Sequence, residues 1–177
     1  TMIQEKIEST IISGKKLPKP ISYICKYLDE NNYLISGFFE LSTIGIDDML
    51  HWFRKNPHAV DELIPFGRGA CGDVYCLWLT NGLCPEDAPI VMFGSEGELL
   101  VLAKDSKEFC KLLCLGYSEV GLEDHTVAGK EYSKTEKFRD YIVGIYNFEL
   151  PETGEFIIDQ ANKLYPYFKT WVEANAR

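Results

Sequence analysis

The chain has 177 residues, of which 46% are hydrophobic and 13% aromatic, so it can bury a sizeable core and is not expected to be disordered. Its formal charge is −9, and residues 21–177 alone carry 25 acidic and 14 basic side chains, a net charge of −11. This balance argues against nucleic-acid binding, which needs clustered lysine and arginine, and it allows a basic protein as partner.

The sequence also bears on the cellular compartment. No apolar run approaches the roughly 20 residues that cross a bilayer, and the N-terminal TMIQEKIEST lacks the cationic start and apolar block of a signal peptide. A chain of this length can fold without disulfides. We therefore expect a cytoplasmic protein in which the six cysteines are free: Cys25, Cys71, Cys76, Cys84, Cys110 and Cys114.

The first third of the chain reads mainly as helix. Apolar residues recur every three or four positions in residues 2–12 and 21–30, which predicts two amphipathic helices. The segment YLISGFFEL, residues 33–41, is rich in aromatic and β-branched residues and predicts a strand. Residues 47–55, with acids at the start and bases at the end, predict a third helix.

The middle of the chain reads as strands. Short apolar runs at residues 62–66, 73–79, 89–93 and 99–103 predict four strands. The last two are separated by GSEGE, residues 94–98, which indicates a hairpin turn. Together with the strand predicted near the N-terminus, they give a sheet of about five strands.

The last third returns to helix. A helix at 106–115 is predicted to be capped by Asp105 or Ser106, and a polar connection follows it. The sequence S-K-T-E from Ser133 to Glu136 predicts a capping box that opens a helix ending near Tyr146. A final helix at 154–175 should be kinked by Pro166. This order predicts an α+β fold with a mostly antiparallel sheet flanked by helices.

The stretch IPFGRGACGDVYCLWL, residues 64–79, is the most distinctive of the chain. Its glycines follow a predicted strand, as in a nucleotide-binding loop, but a strand follows them where a phosphate site needs a helix N-terminus. A turn with glycines at positive φ is favoured instead. No cofactor motif is present elsewhere, so no cofactor is expected.

The sequence offers candidate residues for three kinds of chemical site. Cys71 and Cys76 lack a second pair or a nearby histidine, so a zinc site is not favoured. Adjacent carboxylates are expected among 27 acids and do not indicate a glycosidase. A Cys71 nucleophile would need a base in space, for which the candidates are three histidines: His51, His58 and His125.

Protein contact is the alternative to chemistry. Asp73 either bonds backbone N–H groups in the turn or touches a partner. Trp52 and Trp78 either pack in the core or serve as exposed anchors. The full set of candidate partner-binding residues combines the glycine turn, its strand and the predicted hairpin tip: Trp52, Arg68, Asp73, Tyr75, Trp78, Glu96 and Glu98.

The central segment carries a recognisable pattern. It has I-P-F at residues 64–66, a turn with Gly69, Gly72-Asp73 leading a strand, a second strand at 89–91, and F-x-x-L-L at 109–113. Over residues 20–116 this pattern resembles the SUKH superfamily, which includes bacterial immunity proteins and fungal regulators of cell-wall glucan synthesis. The family's N-terminal signature is not clear in this chain.

The resemblance implies a domain organisation and a function. It implies a SUKH-like α+β domain, which we place at residues 1–131; residues 132–177 form a helical C-terminal extension that many members lack, and we expect it to pack on the same domain. It implies a non-enzymatic protein that binds and neutralises a cognate toxin, often a nuclease with a basic face, without nucleic acid or membrane as partner. The alternatives are a regulatory scaffold for cell-wall or glucan synthesis and a hydrolase that uses Cys71.

Overall fold

The computed structural model describes residues 2–11, 13–31, 35–44 and 46–176. Within these ranges, helical segments precede and follow a block of strands, as the sequence predicts. The α-helices are α1 (Ile3–Glu8), α2 (Lys19–Asn31), α3 (Ile46–Leu50), α4 (Ser106–Leu113), α5 (Glu136–Tyr146), α6 (Glu155–Leu164) and α7 (Phe168–Asn175).

The strands form one antiparallel sheet in chain order. They are β1 (Glu40–Leu41), β2 (Leu63–Arg68), β3 (Val74–Trp78), β4 (Ile90–Phe93) and β5 (Leu99–Ala103). Each pairs with the next, so β3 is central and β1 and β5 are the edges. The predicted α+β fold with a five-stranded antiparallel sheet and flanking helices is therefore confirmed.

Helices cover both faces of the sheet. In β3, Tyr75 and Leu77 point to one face, where α2, α4 and α5 contribute to the core. Val74, Cys76 and Trp78 point to the other face, where α3 and α7 contribute. Because successive residues of a strand point to opposite sides, the entirely buried β3 needs an apolar layer on each side.

Trp78 is the centre of the second face. Its side chain is fully buried, and its ring lies 5.0–5.2 Å from the rings of three residues around the start of α7: Tyr167, Phe168 and Trp171. The indole Nε1 is buried without a hydrogen-bond partner among the described residues. This aromatic cluster joins the C-terminal helices to the central strand.

The edge strand β5 is flanked by α6. The Asn162 side-chain amide on α6 donates a hydrogen bond of 2.9 Å to the main-chain carbonyl of Val101. At the opposite edge β1 has only two residues. Within the described ranges, no helix combines the length and the apolar character needed to cross a bilayer.

Two N-terminal predictions need correction. The strand predicted at 33–41 is reduced to β1, because Gly37 has a φ of +50° and residues 36–39 form a tight turn; residues 33 and 34 lie outside the described ranges. The helix predicted at 47–55 is the shorter α3. After its last residue the chain makes a tight turn, in which the Phe53 N–H donates a hydrogen bond of 3.0 Å to the Leu50 carbonyl.

The helix boundaries of the C-terminal half differ in two details. The Ser133–Glu136 capping box does not form, because a 3₁₀ turn occupies Tyr132–Thr135 and α5 begins after it. Pro166 interrupts the last predicted helix completely and separates α6 from α7. The cap of α4 is confirmed, since Asp105 accepts a hydrogen bond of 2.9 Å from the Glu108 N–H.

Replacing Trp78 tests the role of the aromatic cluster. Trp78→Ala should lower the free energy of unfolding by about 3–5 kcal/mol, because it leaves a large cavity beside α7. Trp78→Phe should cost much less, since it keeps most of the apolar contact and removes the unpaired donor. Urea denaturation followed by circular dichroism measures both.

Phe156→Ala is the matched control, because this ring is 67% exposed and its loss should change stability by no more than about 0.5 kcal/mol. A Trp78→Ala variant as stable as this control would show that the cluster does not hold α7 on the sheet.

Candidate functional site

One row of paired residues marks one end of the sheet. Glu40 pairs with Arg68, Arg68 with Val74, Val74 with Phe93, and Phe93 with Leu99. The segments that emerge beyond this row are therefore neighbours in space. We call the end formed by residues 36–40, 68–73 and 94–98 the turn surface.

Backbone geometry explains the glycines of the β2–β3 turn. The Gly69 N–H donates a hydrogen bond of 2.9 Å to the Asp73 carbonyl and closes the turn. Gly72 has a φ of +88°, a conformation that side chains other than glycine rarely adopt. A Cβ at position 69 would lie 2.6 Å from Asp73 Oδ2. The sequence G-R-G-A-C-G thus encodes a turn between strands.

Asp73 connects the two turns. Its side chain is 3% exposed, and Oδ1 accepts a hydrogen bond of 2.9 Å from the Ser95 N–H in the β4–β5 turn. Of the two roles predicted for Asp73, the structure shows backbone hydrogen bonding. The prediction that Asp73 contacts a partner is corrected, because its carboxylate is enclosed by the two turns that it joins.

The β4–β5 turn presents one of its two glutamates. Glu98 is half-buried, and its Oε1 accepts a hydrogen bond of 2.9 Å from the Glu96 N–H. Gly97, with a φ of +93°, permits this tight geometry. Glu98 therefore shapes the turn, while the Glu96 side chain is exposed and available to a partner.

Arg68 lies at the end of β2 on the same surface. Its guanidinium is 3.3 Å from Asp48 Oδ2, and the two side chains are 34% and 59% exposed. An exposed pair of this kind contributes little to stability, on the order of 0–1 kcal/mol. Arg68 is thus accessible, but part of its charge is already compensated by Asp48.

The aromatic candidates are less accessible than a binding role requires. Tyr75 and Trp78 are 2% and 0% exposed, so neither is an anchor for a partner, and this part of the prediction is corrected. The Tyr75 hydroxyl donates a bond of 2.6 Å to the Val120 carbonyl, and burial raises the pKa of this phenol. Trp52 is half-buried, with its ring 5.2 Å from that of Phe93.

Phe38 is an exposed aromatic residue that sequence analysis did not select. It is 58% exposed, and its N–H donates a hydrogen bond of 2.9 Å to the Ser118 carbonyl. Its neighbour Phe39 is buried against the sheet. The adjacent pair Phe38-Phe39 was the available signal, because in the strand predicted there two consecutive residues point to opposite faces and only one of them can face a given core.

The cysteines divide into two groups. Cys71 and Cys84 are exposed, and the other four are buried. Burial raises the pKa of Cys25 and of Cys114 to about 12, and it also raises the pKa of the Cys76 and Cys110 thiols. These four thiols are therefore poor nucleophiles at neutral pH.

Cys71 is exposed at the turn surface. In the part of the chain that the structure describes, no hydrogen bond joins Cys71 to a histidine. His51 instead contacts Arg54, and the Nε2 atom of His125 accepts a bond of 3.2 Å from the Gly121 N–H. Among the described residues, no group of three or more His, Cys, Asp or Glu side chains is arranged to hold a metal ion.

Comparison with protein-family models, with curated proteins and with solved structures finds no match to this chain. The similarity to the SUKH pattern therefore stays a prediction from residues 20–116. The site is therefore characterised by the geometry of its own residues and not by similarity to another protein.

Removing the Asp73 carboxylate tests whether it holds the two turns together. Asp73→Ala should lower the free energy of unfolding by about 1–3 kcal/mol, because the Ser95 N–H loses its acceptor in a largely buried site. Asp73→Asn retains an oxygen acceptor and should lose less. Chemical denaturation gives the two values, and equal stability of Asp73→Ala and the unmodified protein would exclude this role.

Thiol labelling tests the division of the cysteines. In the folded protein two thiols, Cys71 and Cys84, should react with Ellman's reagent, and the other four only after unfolding. Cys71→Ser and Cys84→Ser should each remove one reactive thiol. If Cys71 is not activated, its rate with iodoacetamide at neutral pH should lie within about tenfold of that of Cys84. A rate about a hundredfold higher would support a Cys71 nucleophile instead.

Proposed function

We propose that this protein is a cytoplasmic, non-enzymatic binding protein that neutralises a cognate protein toxin by direct contact through its turn surface. The observation that carries the proposal is the joining of two turns by Asp73 into one exposed, acidic end of the sheet. The resemblance to the SUKH superfamily supports the same function.

The charge of the turn surface favours a basic partner. Glu40 and Glu96 are exposed there, and the one basic residue of the surface, Arg68, already pairs with Asp48 of α3. The whole chain has a net charge of −9, which adds a longer-range attraction for a basic partner. Complementary charge speeds encounter and selects partners more than it adds affinity. A nuclease toxin, whose substrate-binding face is basic, has the matching chemistry.

The turn surface also has the rigidity and the apolar contact that binding requires. The Asp73–Ser95 hydrogen bond fixes the two turns before a partner arrives, which lowers the entropy lost on binding. Phe38 supplies an exposed aromatic ring on the same surface. Aromatic side chains surrounded by polar residues are frequent energetic centres of interfaces.

The same surface suits the second branch of the resemblance, a regulatory scaffold for cell-wall or glucan synthesis. The two functions differ in the partner and not in the chemistry of contact. The exposure of Cys71 is the observation that supports a hydrolase as the third candidate function.

Affinity purification of the tagged protein from its own host, with mass spectrometry of the bound proteins, tests the proposal. The expected partner is a secreted protein with a basic toxin domain. Phe38→Ala and Glu96→Lys should each weaken its binding about tenfold, as loss of a central aromatic contact and introduction of an unfavourable charge do. Glu173→Lys, an equal charge change at an exposed position on α7, is the control and should change the affinity less than about twofold.

Two outcomes would contradict the proposal. Recovery of an envelope-synthesis enzyme in place of a toxin would favour the scaffold. Turnover of a small molecule that is lost in Cys71→Ser, with no toxin bound, would favour the hydrolase.

A further inference from the structure

A second feature of the surface lies beside α6, apart from the turn surface. A cavity of about 300 Å³ opens between β5, the loop at residues 121–126 and α6. The floor includes Leu100 and Leu102 of the edge strand, and α6 forms one wall. A space of this size accommodates one long side chain.

The polar lining of the cavity is strongly acidic. Glu123, Asp124, Glu155 and Asp159 line it, and no lysine or arginine from the described ranges does so. His125 does not offset this charge. Burial lowers the pKa of its imidazole, and its Nε2 already accepts the Gly121 N–H. The cavity is therefore lined by four acidic side chains, and among the described residues that line it the one basic side chain is the buried His125.

Two buried oxygen atoms along α6 lack hydrogen-bond partners among the described residues. One is Glu123 Oε2 in the cavity, and the other is Oε1 of Gln160 on α6. The amide oxygen of Gln160 can only accept hydrogen bonds, and so can the Glu123 oxygen in an ionised carboxylate, so each needs a donor. Ammonium and guanidinium groups carry several donors and no acceptor, and they match both the missing bonds and the charge.

An apolar strip adjoins the cavity. Phe156 and Leu164 on α6 are 67% and 55% exposed, and Gln160 lies between them at the spacing of one helix face. Asp159 lines both the cavity and the hollow bordered by this strip, and among the described residues the exposed Lys163 is the one basic residue that lines the hollow. Single exposed apolar residues are common on protein surfaces. Here two of them flank a buried acceptor beside an acidic cavity, which makes a surface with an apolar part and an anionic part.

We propose that this α6 groove binds an amphipathic, cationic segment of a protein partner. A lysine or arginine of that segment enters the cavity and donates to Glu123, and its apolar side chains pack on Phe156 and Leu164. Charge complementarity selects this occupant, because an acidic segment would be repelled by the four carboxylates and a purely apolar segment would leave the buried Glu123 Oε2 without a donor. The groove shares no residue with the turn surface, so this second binding surface does not depend on the proposed function.

The test uses a synthetic helical peptide of leucine and arginine, about 14 residues long, with all leucines on one face. Isothermal titration calorimetry with the full chain measures its affinity. Phe156→Ala should weaken binding about tenfold, and Glu123→Gln, which keeps the side-chain shape, about fivefold. Asp159→Asn provides a second charge variant at an exposed position if Glu123→Gln disturbs folding.

The controls separate a specific groove from general attraction to an acidic protein. Glu173→Gln makes the same charge change at an exposed position on α7, outside both surfaces, and should leave the affinity for the peptide within about twofold. A peptide in which glutamate replaces arginine should not bind. The proposal is overturned if the arginine peptide fails to bind at millimolar concentration, or if Glu173→Gln weakens binding as much as Glu123→Gln or Asp159→Asn. These results do not depend on whether a toxin binds the turn surface.

Discussion

The burial of β3 on both faces is the constraint on which the rest of the structure depends. Every residue of this strand is buried, and its bulkiest side chain, Trp78, is fully enclosed. A sheet whose central strand is apolar on both sides needs two covering layers. Helices α2, α4 and α5 supply one layer, and α3 and α7 contribute to the other. The helices that follow residue 131 are thus part of the core, since they contribute on both sides of the sheet.

This enclosed framework determines where the chain can offer contacts. With both faces of the sheet occupied, the remaining surfaces are its ends, its edges and the outer sides of the helices. The turn surface lies at one end, where Asp73 joins two neighbouring turns. The α6 groove lies beside the edge strand β5. Both surfaces are acidic, although they differ in shape: the first is a pair of tight turns with an exposed ring, and the second is a cavity beside an apolar strip.

The sequence predicted the strands well and the site less well, for physical reasons. The β-strands after residue 62 were located to within one or two residues, because short apolar runs bounded by glycine and proline are a strong local signal. The segment around Gly37 was misassigned, because its turn depends on close packing against Ser118, far away in the chain. Likewise, the Ser95 N–H donates to Asp73 and the Tyr75 hydroxyl donates to Val120, and these two hydrogen bonds join residues that are 22 and 45 positions apart in the sequence. Local patterns carry no information about such contacts, so exposure at Tyr75 and Trp78 could not be judged.

The hydrogen bond from Asn162 to Val101 has a consequence for how the protein meets other chains. Exposed sheet edges offer free backbone groups to which a foreign strand can add, and this route leads to aggregation as well as to recognition. Here one edge has a carbonyl occupied by Asn162 and a helix alongside, and the other edge is only two residues long. Neither edge offers a long template for strand addition. This arrangement is expected to limit pairing of the sheet with copies of itself.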